Sequence, residues 1–332
     1  MRGARIHRWL VTVVLSVATL VAAADEPPFS TPFTFAPRHA VATGAVGECG
    51  AVRLHGASVA GAAIHELSAL AWDADEERLY AASDRGYIVH LRPRFVDSQL
   101  AAVEHLATHA LRDAHGQPLP RDQRDAEGLV ARNARNGRRG DTELVIAFEL
   151  TPRLLRYTPD GRLLGGEALP HDLTKPANYR GRNTQIEGLT DTPEHGLVVV
   201  PERPLRGAPD ARVTLYAQDG HRWDFTPFDP AHAAMVALET SPAGDLLVLE
   251  RRLRSLFQPI VFVLYRVALH ADRAAVDELG RFDNSAGWAV DNFEGLAWIR
   301  GSRYLMVSDD NGNPLQATIL VCLDVDDPAP AP

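Results

Sequence analysis

A single β-propeller of five or six blades, all-β in class, is the fold this sequence predicts. Three observations predict it. A short acidic word recurs along the chain, each recurrence leads into β-branched apolar runs broken by turn signals, and helical periodicity is scarce.

The recurring word is plainest in "DAEGLV", "QIEGLTD" and "NFEGLAW". Aligned on it, five copies emerge. They are "HELSALAWDADEERLYAASDRG" from His65, "AEGLVARNARNGRRGDTELVIAFEL" from Ala126, "IEGLTDTPEHGLVVVPER" from Ile186, "MVALETSPAGDLLVLERR" from Met235 and "FEGLAWIRGSRYLMVSDDN" from Phe293. Each copy opens on a small residue followed by Leu, passes a polar turn, enters a run such as "LVVV" or "LLVL", and closes on an acid. Runs of four to eight such residues bounded by "PDG", "PAG" or "QDG" read as strands joined by turns. Further strands are expected at 154–158, 213–217, 261–267 and 317–323, while "DPAHAAMVAL" and "ADRAAVDEL" are the two stretches suited to helical turns. A repeat of roughly 50 to 60 residues with about four strands cannot cover both faces of its own sheet, whereas a radial arrangement covers them all. A pair of β-sandwiches fits the long regular period less well.

The ends of the chain set the boundaries. Residues 1–24 combine three arginines, an apolar run from Trp9 to Val21 and Ala22-Ala23-Ala24, the layout of a cleaved secretory signal peptide. Residues 25–40 are expected to be a linker, 41–325 the propeller, and 326–332 a disordered tail. Propellers commonly close by pairing an N-terminal strand with the last blade. That would bring "ECGAVRL" beside "TILVCLDV", so Cys49 and Cys322 are either a disulfide closing the ring or two buried thiols.

Charge narrows the partners. The formal net charge of -9 becomes more negative once a leader bearing three arginines is removed, which disfavours nucleic acid and anionic membranes and suits cations. A monomer acting on a small molecule in the periplasm or outside the cell is expected. Several chemistries are missing: there is no G-x-S-x-G elbow, no H-E-x-x-H and no glycine-rich phosphate loop. His105 and His109 have helical i, i+4 spacing but no third ligand, and "DDNGNP" departs from an EF-hand loop at its glycine and its closing acid.

Polar residues at one phase of every blade converge on the propeller axis. The first recurring set is Glu66, Glu127, Glu187 and Glu294, with Val236 in the fourth copy; the second is Asp84, Glu149, Glu202, Glu250 and Asp309. Crowded carboxylates repel one another and need cations or arginines between them. Arg85, Arg203 and Arg251 follow three of the acids, and hard oxygen ligands in this number suit Ca²⁺. Alternatively, each acid caps its own turn.

With "YAASDRG", "DAEGL", "LLRYTPDGRLL", "RNTQIEGL", "LLVLERR", "DNFEGLAW" and "MVSDDNGN" in order, residues 60–324 resemble the phytase-like family with esterase-like activity, exported bacterial β-propellers. The resemblance implies an ester or phosphoester hydrolase with a calcium-binding mouth. It implies Glu127, Glu187, Glu202, Glu250, Asp291, Glu294, Asp309 and Asp310 as metal ligands, with Glu187 and Glu294 also catalytic. Arg85, Arg203, Arg251 and Asn292 would bind the substrate. The fourth copy departs by lacking its leading acid, and Lys175 is the chain's only lysine where phosphate-binding propellers often use lysine. A non-catalytic ligand- or partner-binding propeller and a regucalcin-like sugar-lactone hydrolase are the alternatives.

Overall fold

The five copies of the repeat fold into five antiparallel sheets. A computed structural model of the protein describes residues 28–37, 44–56, 64–253 and 258–326. The expected leader and residues 327–332 of the expected tail lie outside the described residues.

Two N-terminal strands, β1 (Ser30–Phe33) and β2 (Val46–Leu54), belong to the last sheet. The first blade comprises β3 (Leu67–Asp73), β4 (Arg78–Ser83), β5 (Tyr87–Val96) and β6 (Gln99–Ala110). In the second are β7 (Ala126–Arg132), β8 (Glu143–Phe148), β9 (Arg153–Tyr157) and β10 (Leu163–Glu167). The third holds β11 (Ile186–Thr192), β12 (Gly196–Pro201), β13 (Val213–Ala217) and β14 (Arg222–Phe225). The fourth is β15 (Ala233–Thr240), β16 (Leu246–Arg252), β17 (Val261–Leu269) and β18 (Ala274–Asp283). The closing blade runs β19 (Asn292–Arg300), β20 (Arg303–Asp309), β21 (Ile319–Val325), β2, β1 from the axis outward. The ring therefore has five blades.

Two expectations change. Both alanine-rich stretches suited to helical turns lie largely on strands, β15 and β18, because pairing in a four-stranded sheet outweighs the helical preference of alanine. "EHLATH" likewise lies on β6, with His105 bonded to Thr108 and His109 packed on His90. The stretch expected as a linker contains β1, paired with β2, and the fully buried Phe35, so ordered structure of the closing blade begins before residue 41.

Alternation explains the continuous apolar runs. In β12, Val198 and Val200 face a core shared with the fourth blade, while Leu197 and Val199 face one shared with the second. Each of the five buried clusters among the described residues is shared by two neighbouring blades, so a strand is apolar on both faces because both are interfaces.

Glycine sets how closely the innermost strands pack. A Cβ on Gly128 would lie 2.6 Å from Leu189 Cβ of the next blade, one on Gly188 2.8 Å from Leu238 Cγ, and one on Gly295 3.1 Å from Leu70 Cγ. The Gly and Leu of the recurring word are thus the two halves of one inter-blade contact. Ala69 and Ala237 take the glycine's place in the other two blades.

Closure is covalent as well as hydrogen-bonded. β2 pairs with β21, and a bulge at Cys49 and Gly50 sets Cys49 against Cys322; they form a disulfide with Cα atoms 4.9 Å apart. Gly50, at φ +96°, is needed there because a Cβ would meet the Leu100 backbone at 2.7 Å.

Two stability measurements test this account. Replacing Cys49 and Cys322 by serine should cost about 2–4 kcal/mol, read by urea denaturation. Gly188→Ala should cost about 1–3 kcal/mol by overpacking against Leu238 and Val200; an unchanged midpoint would contradict the close approach.

Candidate functional site

One end of the axis is lined by two tiers of side chains, and β-bulges set the lower tier. In each innermost strand the pairing register slips at one residue near the strand's start, Ser68, Glu127, Glu187, Val236 or Glu294, and β19 slips a second time at Ile299 near its far end. The bulge near the start frees its residue from the alternation. The equivalent of Glu127 in the first blade is therefore Ser68, two residues beyond the expected Glu66. Glu66 instead has a positive φ of 56° and holds Arg85, with Nε–Oε2 at 2.7 Å.

The upper tier follows from the same registers. Asp84, Glu149, Glu202, Arg251 and Asp309 occupy matching positions at the ends of the second strands. Here the fourth blade differs from expectation by one residue. Glu250 pairs with Met235, is fully buried, and accepts hydrogen bonds from Tyr265 Oη at 2.5 Å and Phe228 N at 2.9 Å. Arg251 takes the upper-tier place.

The two tiers thus bring seven carboxylates and one guanidinium to the mouth, a cavity of about 800 Å³ that Asp125 and Asp291 also line. Beneath them the axis closes to about 10 Å³ between the Gly, Ala and Leu residues of the inner strands. The acids form the floor of a cup.

The cup is electrically lopsided. On one side Arg251 donates to Glu294 Oε1 at 3.0 Å, to Glu202 Oε1 at 3.2 Å and to Asn292 Oδ1, while Asn292 Nδ2 bonds Glu294 Oε1 at 2.7 Å. Opposite charge is therefore concentrated at Glu202 and Glu294, with Glu187 beside them. On the other side Asp84, Asp125 and Glu127 each offer an oxygen within 4.8 Å of the others, with Ser68 Oγ donating to Asp84 Oδ1.

Burial and mutual repulsion push several of these carboxyls up. Burial, then Asp309 and Glu294, hold the Asp84 carboxyl well above the usual carboxylate range, and burial, then Asp84 and Glu187, do the same to Glu127. For Glu187 the causes are burial, then Glu202 and Glu294. Asp309 is pushed up to about 8 by burial and Glu294, and Glu149 to about 8 chiefly by burial, against a hydrogen bond from Gln185 N. Burial also raises Glu294, with Arg251 opposing it.

Three expected site residues are tied up in structural bonds, Asp291 of them at the wall of the cup. Asp310 accepts from His65 Nδ1 and Thr318 Oγ1, both at 2.8 Å, and from the backbone of Glu66 and Gly312, stapling the last loop to the first blade. Asp291 accepts from Ala317 N at 2.9 Å and from Gln316, which fixes the 310–317 loop at the rim of the cup. Arg203 donates to the Ala233 carbonyl at 2.5 Å and joins the third blade to the fourth.

Asp125, Arg121 and Arg124 were missed. With Arg85 they line a side cavity of about 260 Å³ that shares Asp84 and Asp125 with the cup. The run "RDQRDAEGL" held the signal, since its basic and acidic residues directly precede Glu127 at the strand entrance.

A blade ring with one acid-floored mouth defines a β-propeller with a polar axial site. A family model described as "Phytase-like: Esterase-like activity of phytase" matches residues 62–312, and the chain belongs to that family. Among solved structures, U3-55K is similar at a TM-score of 0.42 and 9% identity, over 78% of this chain and 95% of that one. The Dos1 propeller gives 0.36 and 11%, over 82% and 73%. Virginiamycin B lyase from Staphylococcus aureus gives 0.39 and 9%, over 90% and 99%. No curated protein matches the chain.

The raised carboxyls have a measurable consequence. Between about pH 4.5, where they titrate in the unfolded chain, and about pH 8 the folded state binds more protons, so stability falls as pH rises. In cation-free buffer Tm should drop by more than about 4 °C from pH 5 to pH 8, read by calorimetry. Glu149→Gln should flatten the profile; an unchanged slope would contradict the crowding.

Proposed function

We propose that the protein is an exported hydrolase of phosphate monoesters, working at the acid-floored cup with Ca²⁺ held by Asp84, Asp125 and Glu127. The observation that carries this reading is the junction of that acidic triad with the arginine-lined side cavity. A cation site beside Arg85, Arg121 and Arg124 suits an anionic group more than a neutral carboxylic ester. The disulfide supports an oxidising compartment.

The donor set fits calcium. Ligand distances of roughly 2.3–2.6 Å put oxygens on one ion up to about 5 Å apart, which the 4.8 Å limit of the triad meets. All three donors are hard oxygens, and a divalent charge relieves the repulsion that raises them. Water and substrate would complete the coordination. Calcium bound there supplies positive charge for the ester oxygens and increases the acidity of a bound water.

The chain's own residues divide the remaining work. Arg251, oriented by Glu294 and Asn292, offers positive charge to the transferring group from the far side of the cup. Glu187, a buried carboxyl with raised proton affinity, accepts the proton of the attacking water. The water oxygen bonds to phosphorus, the bond from phosphorus to the alcohol oxygen breaks, and that oxygen takes up a proton from solvent, to which Glu187 afterwards returns its own. Glu294 thus acts on Arg251 rather than on the reacting atoms. Arg85, Arg121 and Arg124 hold the phosphate's free oxygens.

Assays of purified protein on phosphate monoesters, carboxylic esters and sugar lactones, with Ca²⁺ or a chelator, test the reading. Calcium-dependent phosphatase activity is expected, with kcat/KM falling about 100-fold in Asp84→Asn, Glu127→Gln and Arg251→Gln. Turnover untouched by chelation would overturn the metal's role. Lactone turnover alone would move the protein to the lactonase reading, and no turnover with no calcium bound would leave a binding propeller.

A further inference from the structure

We propose that His195, Asp219 and His221 form a second metal site, for a divalent transition-metal cation of the zinc type, on the face of the ring opposite the acidic cup. Glu187 and Glu202 lie at one end of the β11–β12 hairpin, and His195 lies in the turn at its other end. The turn between β13 and β14, carrying Asp219 and His221, comes back to the same end because Ala217 pairs with Val198. Two turns of one blade therefore bring three donors together, remote from the calcium triad.

The donors already surround one point. His195 Nδ1 lies 2.8 Å and His221 Nδ1 3.0 Å from the same oxygen, Asp219 Oδ2, and the imidazole centroids are 4.7 Å apart. One ligand atom from each residue falls within 4.8 Å of the others. Around zinc, with bonds of roughly 2.0–2.2 Å, tetrahedral donors sit about 3.3 Å apart, so small outward shifts admit the ion. Two imidazoles and one carboxylate favour zinc, cobalt or nickel over calcium, which prefers oxygen throughout.

The surroundings hold this arrangement in place. Thr192 Oγ1 accepts the His195 backbone N–H at 3.2 Å, and Asp219 Oδ1 accepts that of His221 at 3.0 Å. Buried Trp223 packs edge-on to His195 and stacks on His221 at an interplanar angle of 14°. Gly220, at φ +97°, permits the tight turn between Asp219 and His221. A metal on Nδ1 requires the imidazole proton on Nε2, and the exposed Glu194 carboxylate lies 3.8 Å from His195 Nε2, close enough for ion pairing but not for a hydrogen bond. Three protein ligands leave a coordination position for water.

The site is tested on the whole protein with calcium in excess to occupy the cup. Zinc titration by calorimetry should give one equivalent bound, and Co²⁺ should give visible d–d absorption. His195→Ala, His221→Ala and Asp219→Asn should each weaken zinc binding by more than about tenfold and remove the cobalt bands. Glu127→Gln should leave both unchanged. Should an alanine variant misfold by circular dichroism, Asp219→Asn and His221→Gln preserve size and polarity and give the same readout. Zinc affinity and cobalt absorption equal in wild type and all hairpin variants, or no bound equivalent in the wild type, would overturn the assignment.

Discussion

Everything at the axis follows from how closely five innermost strands approach one another. In three blades a glycine meets a leucine of the next at distances that leave no room for a larger side chain, and in the other two an alanine stands at the same position. That contact has to be made five times around a closed circuit, so each strand is held at the same phase. A residue one step before the small residue then points at the axis in every blade. Convergence of Glu127, Glu187 and Glu294 is thus a geometric by-product of packing.

Focusing acids has an electrostatic cost that the ring distributes unevenly. One guanidinium stands among seven carboxylates, and it serves Glu202 and Glu294 on its own side. The far side, around Asp84, Asp125 and Glu127, has no such partner within the cup, and its acids hold protons more tightly than free carboxyls do. An external positive charge placed there would relieve this repulsion, as the calcium proposal requires. The fourth blade produces the asymmetry by carrying Val236 and Arg251 where the others carry polar or acidic residues, Ser68 being the only uncharged one.

The blades were legible because each strand is buried on two faces, which writes uninterrupted runs such as "LVVV" that survive divergence between copies. Blade closure and the Cys49–Cys322 pairing were legible as a pair of alternatives, and position in the fold chose between them. The ring itself was read with two errors of phase, Glu66 for Ser68 and Glu250 for Arg251. Both came from aligning copies on an acid instead of on the apolar run. "LVLER" set against "VVVPE" places Arg251 beside Glu202, and "SAL" against "EGL" places Ser68 beside Glu127. Asp125 with Arg121 and Arg124, and the grouping of His195 with Asp219 and His221, depend on how loops return in space, which no periodicity records.

The last blade is built from both ends of the chain, with β1 and β2 waiting for β21, some 270 residues further on. During synthesis β1 and β2 can pair with each other, but the other edge of β2 has no partner until β21 has emerged, whereas each central blade completes itself as it is made. The circuit must be assembled late, and its two tiers of acids reach their final spacing only at that moment. A chain interrupted before Ile319 would carry most of its blades and none of the seam that holds them in register.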